Sequence, residues 1–165
     1  MLQDGRYRTK VYLTTYLVAA QLTKDDDATQ ASFAIIYSVP PYSMEYEFIR
    51  DFRTGAKLGA GADTTIDLLF CIDKPTSKPI YSHDDAIEAY SEDITVHMYA
   101  IDQTDITGEY LIWKAEDEVR TAFLDHPFGS ACIRTISETT KDDIQYDSTK
   151  IFGCKLTFNY LRLAT

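Results

Sequence analysis

Residues 93–101 read DITVHMYAI, residues 110–124 read YLIWKAEDEVRTAFL and residues 151–163 read IFGCKLTFNYLRL. Apolar and polar side chains alternate in the first and third segments, as in strands that bury one face. The middle segment has apolar residues at spacings of three and four, which is typical of an amphipathic helix. Thr107 is the predicted N-cap of that helix, and Glu109 lies in its first turn, where negative charge suits the helix dipole. This strand, helix and strand predict the scaffold of the fold.

The same spacing predicts which side chains point inward. The expected core residues are Ile94, Val96, Met98 and Ala100; Ile112, Ala115, Val119, Ala122 and Phe123; and Phe152, Cys154, Leu156, Phe158 and Tyr160. Thr95, His97 and Tyr99 fall on the other, more polar face of the first strand. Because no nucleophile or orienting acid accompanies His97 in the sequence, we predict a surface or interface histidine.

The rest of the chain adds a helix and further strands. Residues 7–24 predict a helix, although their β-branched and aromatic content leaves a strand open. The helical spacing runs through Tyr7, Val11, Thr14, Val18 and Leu22, and Leu13, Tyr16, Leu17 and Ala20 widen this apolar stripe. Strands are predicted at residues 32–39, 64–73 and 130–137, and an extended hairpin arm at 42–54. Loops are predicted at 55–61 and 74–81, and a polar hairpin loop with some extended character at 138–148. We therefore predict one α+β domain over residues 1–165, a mainly antiparallel sheet flanked by two helices.

Composition limits the kinds of partner. The formal net charge of −10 repels phosphate backbones, so DNA binding through a basic patch is not expected. No apolar run is long enough to cross a bilayer, and the polar start lacks the apolar core of a signal peptide. We expect a protein that is made and stays in the cytosol, without a membrane partner. Twelve tyrosines favour sheet and interface surface.

The sequence offers few groups with obvious chemistry. Cys71, Cys132 and Cys154 are far apart and lie in apolar runs, which indicates buried free thiols. Residues 25–27 (DDD) read as a solvated acidic turn, and residues 83–85 (HDD) as a polar loop or helix cap, with ion binding left open at both. The glycine-rich residues 55–61 lack the lysine and hydroxyl residue of a phosphate-binding loop. We assign no catalytic, cofactor-binding or metal-binding residue from these patterns.

Three segments carry a family resemblance: ITVHMYAID (94–102), GEYLIWKAEDEVRTAFLDHPFG (108–129) and KIFGCKLTFNYLRL (150–163). The order of these elements and their pattern of apolar and polar residues resemble those of the tail-terminator proteins, also called tail-completion or minor tail proteins, of long-tailed bacteriophages. The resemblance implies an antiparallel sheet flanked by helices, and no catalysis, cofactor or metal. The long segment of residues 55–90 departs from the family pattern, which leaves open the loops that contact neighbouring rings.

The resemblance also implies a function and a location. Subunits of that family form a hexameric ring in the virion that caps the tail-tube protein, joins it to the head–tail connector or neck, and lets DNA pass without specific binding. We name Tyr42, Tyr46, Phe48 and Trp113 as candidate interface residues. The alternatives are a tail-tube or other head–tail connector subunit, an enzyme using His83 or His97 with nearby acids, and a monomeric ligand-binding domain.

Overall fold

A computed structural model of the chain describes residues 5–20, 30–37, 67–102, 106–125, 132–136, 139–146 and 149–163. These residues form two helices and a mainly antiparallel sheet, so the predicted α+β class is confirmed. The helices are α1 (Gly5–Ala20) and α2 (Gly108–Asp125). The strands are β1 (Phe33–Tyr37), β2 (Leu68–Ile72), β3 (Thr76–Tyr81), β4 (Ile87–Ile101), β5 (Cys132–Ile136), β6 (Thr140–Lys141), β7 (Ile144–Tyr146) and β8 (Thr149–Leu163).

Two long strands form the centre of the sheet. β4 and β8 each contain 15 residues and pair antiparallel from Ala89–Leu163 to Ile101–Ile151. The strand order is β1-β2-β4-β8-β5, with β3 beside the first half of β4, and with β6 and β7 beside the first half of β8. Of the described strand pairs, β1 with β2 is parallel and the others are antiparallel.

Both helices cover the same face of the sheet. The predicted helix stripe of Ile112, Ala115, Val119, Ala122 and Phe123 is buried against the even-numbered residues of β4 and β8. The Phe123 and Phe158 rings stack with centroids 4.1 Å apart. Complete burial of a side chain the size of Phe158 stabilises the fold by about 1.5–3 kcal/mol. The predicted core of the strand–helix–strand scaffold is confirmed, with Phe152 only partly buried at its edge.

The predicted cap of α2 is also confirmed. The Tyr110 amide donates to Thr107 Oγ1 at 3.3 Å, and the Leu111 amide donates to the Thr107 carbonyl at 3.2 Å. A Cβ atom at Gly108 would lie 2.6 Å from Phe152 and 2.9 Å from the backbone of Ile101. Glycine at this position therefore lets the start of α2 lie directly against the end of β4.

Helix α1 buries only part of its predicted apolar stripe. Leu13 and Leu17 are buried, whereas Tyr7, Val11 and Val18 are exposed. At 3.6 residues per turn the exposed and the buried sets of side chains are centred about 120° apart, and both are apolar, so the sequence alone could not select between them. Packing selects Leu13 and Leu17, which join the core shared with α2 and the sheet. The Tyr12 hydroxyl donates to the Ala122 carbonyl at 2.6 Å, which ties α1 to α2.

Two segments predicted as loops contain strands. β3 lies in residues 74–81 despite Pro79, because a strand with one paired edge tolerates a residue that lacks an N–H donor. The hairpin loop predicted at residues 138–148 contains β6 and β7, which pair with β8 and agree with the extended character expected there. The predicted strands at 32–39, 64–73 and 130–137 are confirmed as β1, β2 and β5.

Other predictions lie outside the described residues. They are the acidic turn at 25–27, the arm at 42–54 with Tyr42, Tyr46 and Phe48, and the glycine-rich loop at 55–61. Neither α1 nor α2 combines the length and the apolar character that a membrane-crossing helix needs.

Candidate functional site

The candidate site lies on the sheet face opposite the helices. Odd-numbered residues of β4 point to this face, and the cross-strand register aligns Cys71, His97 and Lys155 in one row. The prediction that His97 shares the more polar face with Thr95 and Tyr99 is correct. Of the two predicted alternatives, a surface or an interface histidine, the surface one is wrong, because His97 is only 3% exposed within its own chain.

His97 is held between two carboxylates. Its Nε2 lies 3.0 Å from Asp73 Oδ2, just after β2, and its Nδ1 lies 3.0 Å from Asp142 Oδ2, in the turn between β6 and β7. The Tyr99 hydroxyl donates to Asp142 Oδ2 at 2.5 Å, and the Tyr99 ring lies nearly parallel to the imidazole, with an interplanar angle of 6°. We call Asp73, His97, Tyr99 and Asp142 the His97 cluster.

The backbone fixes the turn that carries Asp142. The Asp142 amide donates to the Gly153 carbonyl at 2.9 Å, and the Gly153 amide donates to Asp143 Oδ1 at 2.9 Å. A Cβ atom at Gly153 would meet the Asp142 carbonyl oxygen at 2.5 Å and the Tyr99 ring at 2.7 Å. Glycine therefore makes the close approach of this turn to β8 possible.

The contacts of the imidazole limit the chemistry of the cluster. Both ring nitrogens of His97 lie within hydrogen-bond distance of a carboxylate oxygen of the fold. Within the described ranges, no group of three or more histidine, cysteine and acidic side chains has the arrangement of a metal site. The geometry fits a clamp that joins β2, β4 and the β6–β7 turn.

The thiol nearest to His97 in the register is not activated. Burial, followed by the charges of Asp73 and Asp142, raises the pKa of Cys71 to about 12. Burial, followed by the charge of Glu116, likewise raises the pKa of Cys154 to about 12. Since the thiolate is the reactive form, both are weak nucleophiles at neutral pH. Buried free thiols are confirmed for Cys71 and Cys154, while the Cys132 side chain lies outside the described part of the chain.

A second polar cluster lies at the far end of the sheet, on the helix side. Glu92 is 5% exposed, accepts a hydrogen bond from the Tyr160 hydroxyl, and pairs with Arg162 Nη2 at 2.8 Å. The guanidinium carbon of Arg162 lies 4.6 Å from the centre of the Tyr90 ring. The buried Glu92 carboxylate thus has both a partner of opposite charge and a hydrogen-bond donor within the fold, which compensates for the cost of burying it.

The polar segment at residues 83–85 forms an exposed turn between β3 and β4. The Ser82 amide donates to the Ala86 carbonyl at 2.8 Å, and Asp85 has a left-handed backbone with φ of 57°. Aspartate is one of the few residues that adopt this conformation readily. The segment is therefore the turn of a hairpin, and its histidine stays on the surface.

Trp113, the remaining interface candidate, is 63% exposed on the outer side of α2. It borders a groove of about 290 Å³ between α2 and residues 139–143. Glu116, Arg120 and Thr139 form a hydrogen-bonded network at this groove, in which Arg120 donates to Thr139 Oγ1 at 2.7 Å. Glu116 and Arg120, one helical turn apart on α2, also form an ion pair at 3.4 Å.

The His97 cluster could not be found from the sequence, since its members become neighbours only through the sheet. Asp73 and Asp142 lie 24 and 45 positions from His97 in the chain. The only local signal is an acidic residue placed directly after the buried run LLFCI of β2. Comparison of the chain with models of known protein families gave no match, and a search of curated proteins gave none either.

Proposed function

We propose that this chain is a structural virion subunit of the tail-terminator type, which forms a ring that caps the tail tube and joins it to the neck. The observation that carries the proposal is a contrast between interior and surface. The buried His97 pairs with Asp142 and the buried Glu92 with Arg162, while Trp113, Val18 and Tyr81 are more than half exposed. Large exposed apolar side chains mark surfaces that bind other proteins.

The fold and the charge support the same proposal. Two helices on one face of a mainly antiparallel sheet agree with the architecture that the resemblance implies. The formal charge of −10 per chain, repeated around a ring, would repel the phosphate backbone of DNA passing through the lumen.

Sedimentation velocity and negative-stain electron microscopy of the purified protein test the proposal. We expect closed rings whose mass is a multiple of 18.8 kDa, and binding of these rings to the ends of tail tubes from the same virus. A particle that stays monomeric at high concentration and does not bind tubes contradicts the proposal.

One observation favours a second candidate, a tail-tube subunit. Every residue of β3 is exposed, and the β3–β4 hairpin forms an arm of the kind that can reach a neighbouring subunit. The purified protein distinguishes the two candidates, because a tube subunit assembles into long tubes and a terminator into single rings.

A further inference from the structure

The groove between α2 and residues 139–143, which we call the Trp113 groove, combines apolar and acidic side chains. Its apolar lining includes Ile112, which is 8% exposed, and the partly buried Phe152. Trp113 lines it too, with 63% of its surface exposed to solvent. The volume of about 290 Å³ is close to the lower limit of roughly 300 Å³ for ligand pockets, so the groove fits a single side chain better than a large cofactor.

The charged side chains that line the Trp113 groove are mostly acidic. Glu109 and Glu116 lie on α2, Asp143 follows β6, and Lys141 belongs to β6. Three negative charges and one positive charge leave these four side chains with a formal charge of −2. The groove therefore favours a ligand with a positive charge.

The buried thiol of Cys154, which also lines the groove, responds to the same charges. Burial is the main cause of its raised pKa, and the charges of Glu116, Asp142 and Asp143 raise the pKa further, whereas the charge of Arg120 lowers it. More carboxylates than cations thus act on this part of the groove.

Two lysines of the chain already contact the carboxylates of the groove, and both contacts are exposed. Lys141 Nζ lies 4.0 Å from Glu109 Oε1, with side chains that are 83% and 71% exposed. Lys150 Nζ lies 3.7 Å from Asp143 Oδ2 and 4.6 Å from the centre of the Phe152 ring. Because exposed ion pairs contribute little free energy, a cation from outside the chain can replace these lysines at small cost.

We propose that the Trp113 groove binds an arginine side chain of a partner protein. Glu109 and Trp113 are one helical turn apart on α2, so a guanidinium group stacked on the indole can also pair with the carboxylate. The aliphatic part of the arginine then packs on the apolar lining. Arginine is preferred to lysine because its planar group stacks on aromatic rings and is more weakly hydrated.

The overall charge of the chain supports the same partner. A net charge of −10 attracts a basic segment from a distance and repels an acidic one. The inference goes beyond the proposed function, because binding at this groove does not require a ring. A chain that binds arginine and forms no ring contradicts only the proposed function.

Tryptophan fluorescence tests the inference directly, since Trp113 is the one tryptophan of the chain. The ligand is the peptide acetyl-Gly-Arg-Gly-amide, and the control is the same peptide with citrulline, which has nearly the shape of arginine without its charge. We expect the arginine peptide to change the fluorescence and to bind about fivefold or more tightly than the citrulline peptide. Equal binding of the two peptides, or no binding of either at millimolar concentrations, overturns the inference.

Two variants with opposite expected effects locate the site. Glu109→Gln removes a carboxylate of the groove and should weaken binding of the arginine peptide by about two- to fivefold. Lys141→Gln removes the competing cation and should tighten binding by a similar factor. Glu88→Gln is the matched control, because it removes the same charge from an exposed position at the other end of β4 and should bind like the wild type.

The opposite signs keep the test decisive if one variant is less stable, because a folding defect does not tighten binding. Weaker binding in Lys141→Gln, or equal weakening in Glu88→Gln and Glu109→Gln, rejects the groove as the site. Trp113→Leu, followed by isothermal titration calorimetry, should bind the arginine peptide about fivefold or more weakly. Unchanged binding in this variant rejects stacking on Trp113 and overturns the inference.

Discussion

The His97 cluster leads to the sharpest prediction, the effect of His97→Leu on stability. The substitution removes the contacts of the imidazole with Asp73 and Asp142, both 3.0 Å long. Asp142 keeps the hydrogen bond from Tyr99, so one of the two carboxylates retains a protein partner. Leucine fills most of the space, and the loss is therefore mainly one of polar contacts.

The expected size of the effect follows from the exposure of the two carboxylates. A hydrogen bond with a charged partner contributes about 1.5–3 kcal/mol, and removing one partner of a fully buried pair costs about 3–5 kcal/mol. The Asp73 and Asp142 side chains are 30% and 19% exposed, so water replaces part of what is lost. We expect the free energy of unfolding to fall by about 2–4 kcal/mol in total. For a chain of this length, the melting temperature then falls by about 4–16 °C.

Urea unfolding followed by circular dichroism measures this change. His83→Leu is the matched control: it makes the same replacement at an exposed turn and should change the free energy by less than about 0.5 kcal/mol. A double-mutant cycle of His97→Leu with Asp142→Asn should give a coupling of about 0.5–3 kcal/mol. If His97→Leu is as neutral as the control, or if the coupling is zero, His97 does not act as the clamp described.

Three further predictions concern other parts of the fold. Gly153→Ala should destabilise the protein by about 1–3 kcal/mol in urea unfolding, because the new methyl group meets the turn that packs on β8; a neutral result would contradict that close approach. In a Cys132→Ser chain, iodoacetamide at pH 8 should label Cys71 and Cys154 only after unfolding. Rapid labelling of the folded chain would refute the burial of these thiols. Because burial raises the pKa of both thiols from 9.0 to about 12, their contribution to the free energy of unfolding is fully present below pH 9 and is lost as the pH rises towards 12. Asp85→Val should lower the free energy of unfolding by about 1–2 kcal/mol while Asp85→Gly does not, since valine resists a φ of 57°; equal effects would contradict the turn geometry.

Periodicity predicted the parts of the fold in which one face is buried against the helices. The alternation in β4 and β8 and the stripe of α2 assign their inward residues correctly, because each pattern has a single apolar side. Helix α1 has apolar side chains on two sides, so tertiary packing decided which side is buried. β3 escaped prediction because it is exposed along its whole length and contains a proline, which removes both the apolar pattern and the usual composition of a strand.

The candidate site was less predictable than the fold for a different reason. Alternation placed His97 on the correct face but assumed that this face meets water, and nothing local indicates the carboxylates that arrive from β2 and the β6–β7 turn. Their approach depends on the pairing register of β2, β4 and β8. Polar clusters assembled across strands can be predicted only after the register is known.

The long pairing of β4 with β8 also determines how the chain can fold. Thr95 and Thr157, whose hydroxyls lie 2.8 Å apart across this pair, are separated by 62 positions in the chain. The centre of the sheet therefore cannot form as a local hairpin, and its assembly requires closure of a long loop that contains α2. We expect this domain to fold slowly for its size. During synthesis β2 and β4 are made before β8, so the sheet cannot be completed until the end of the chain has been made. Until β8 is made, the apolar strand Leu68–Ile72 lacks part of the core that buries it and can take part in aggregation.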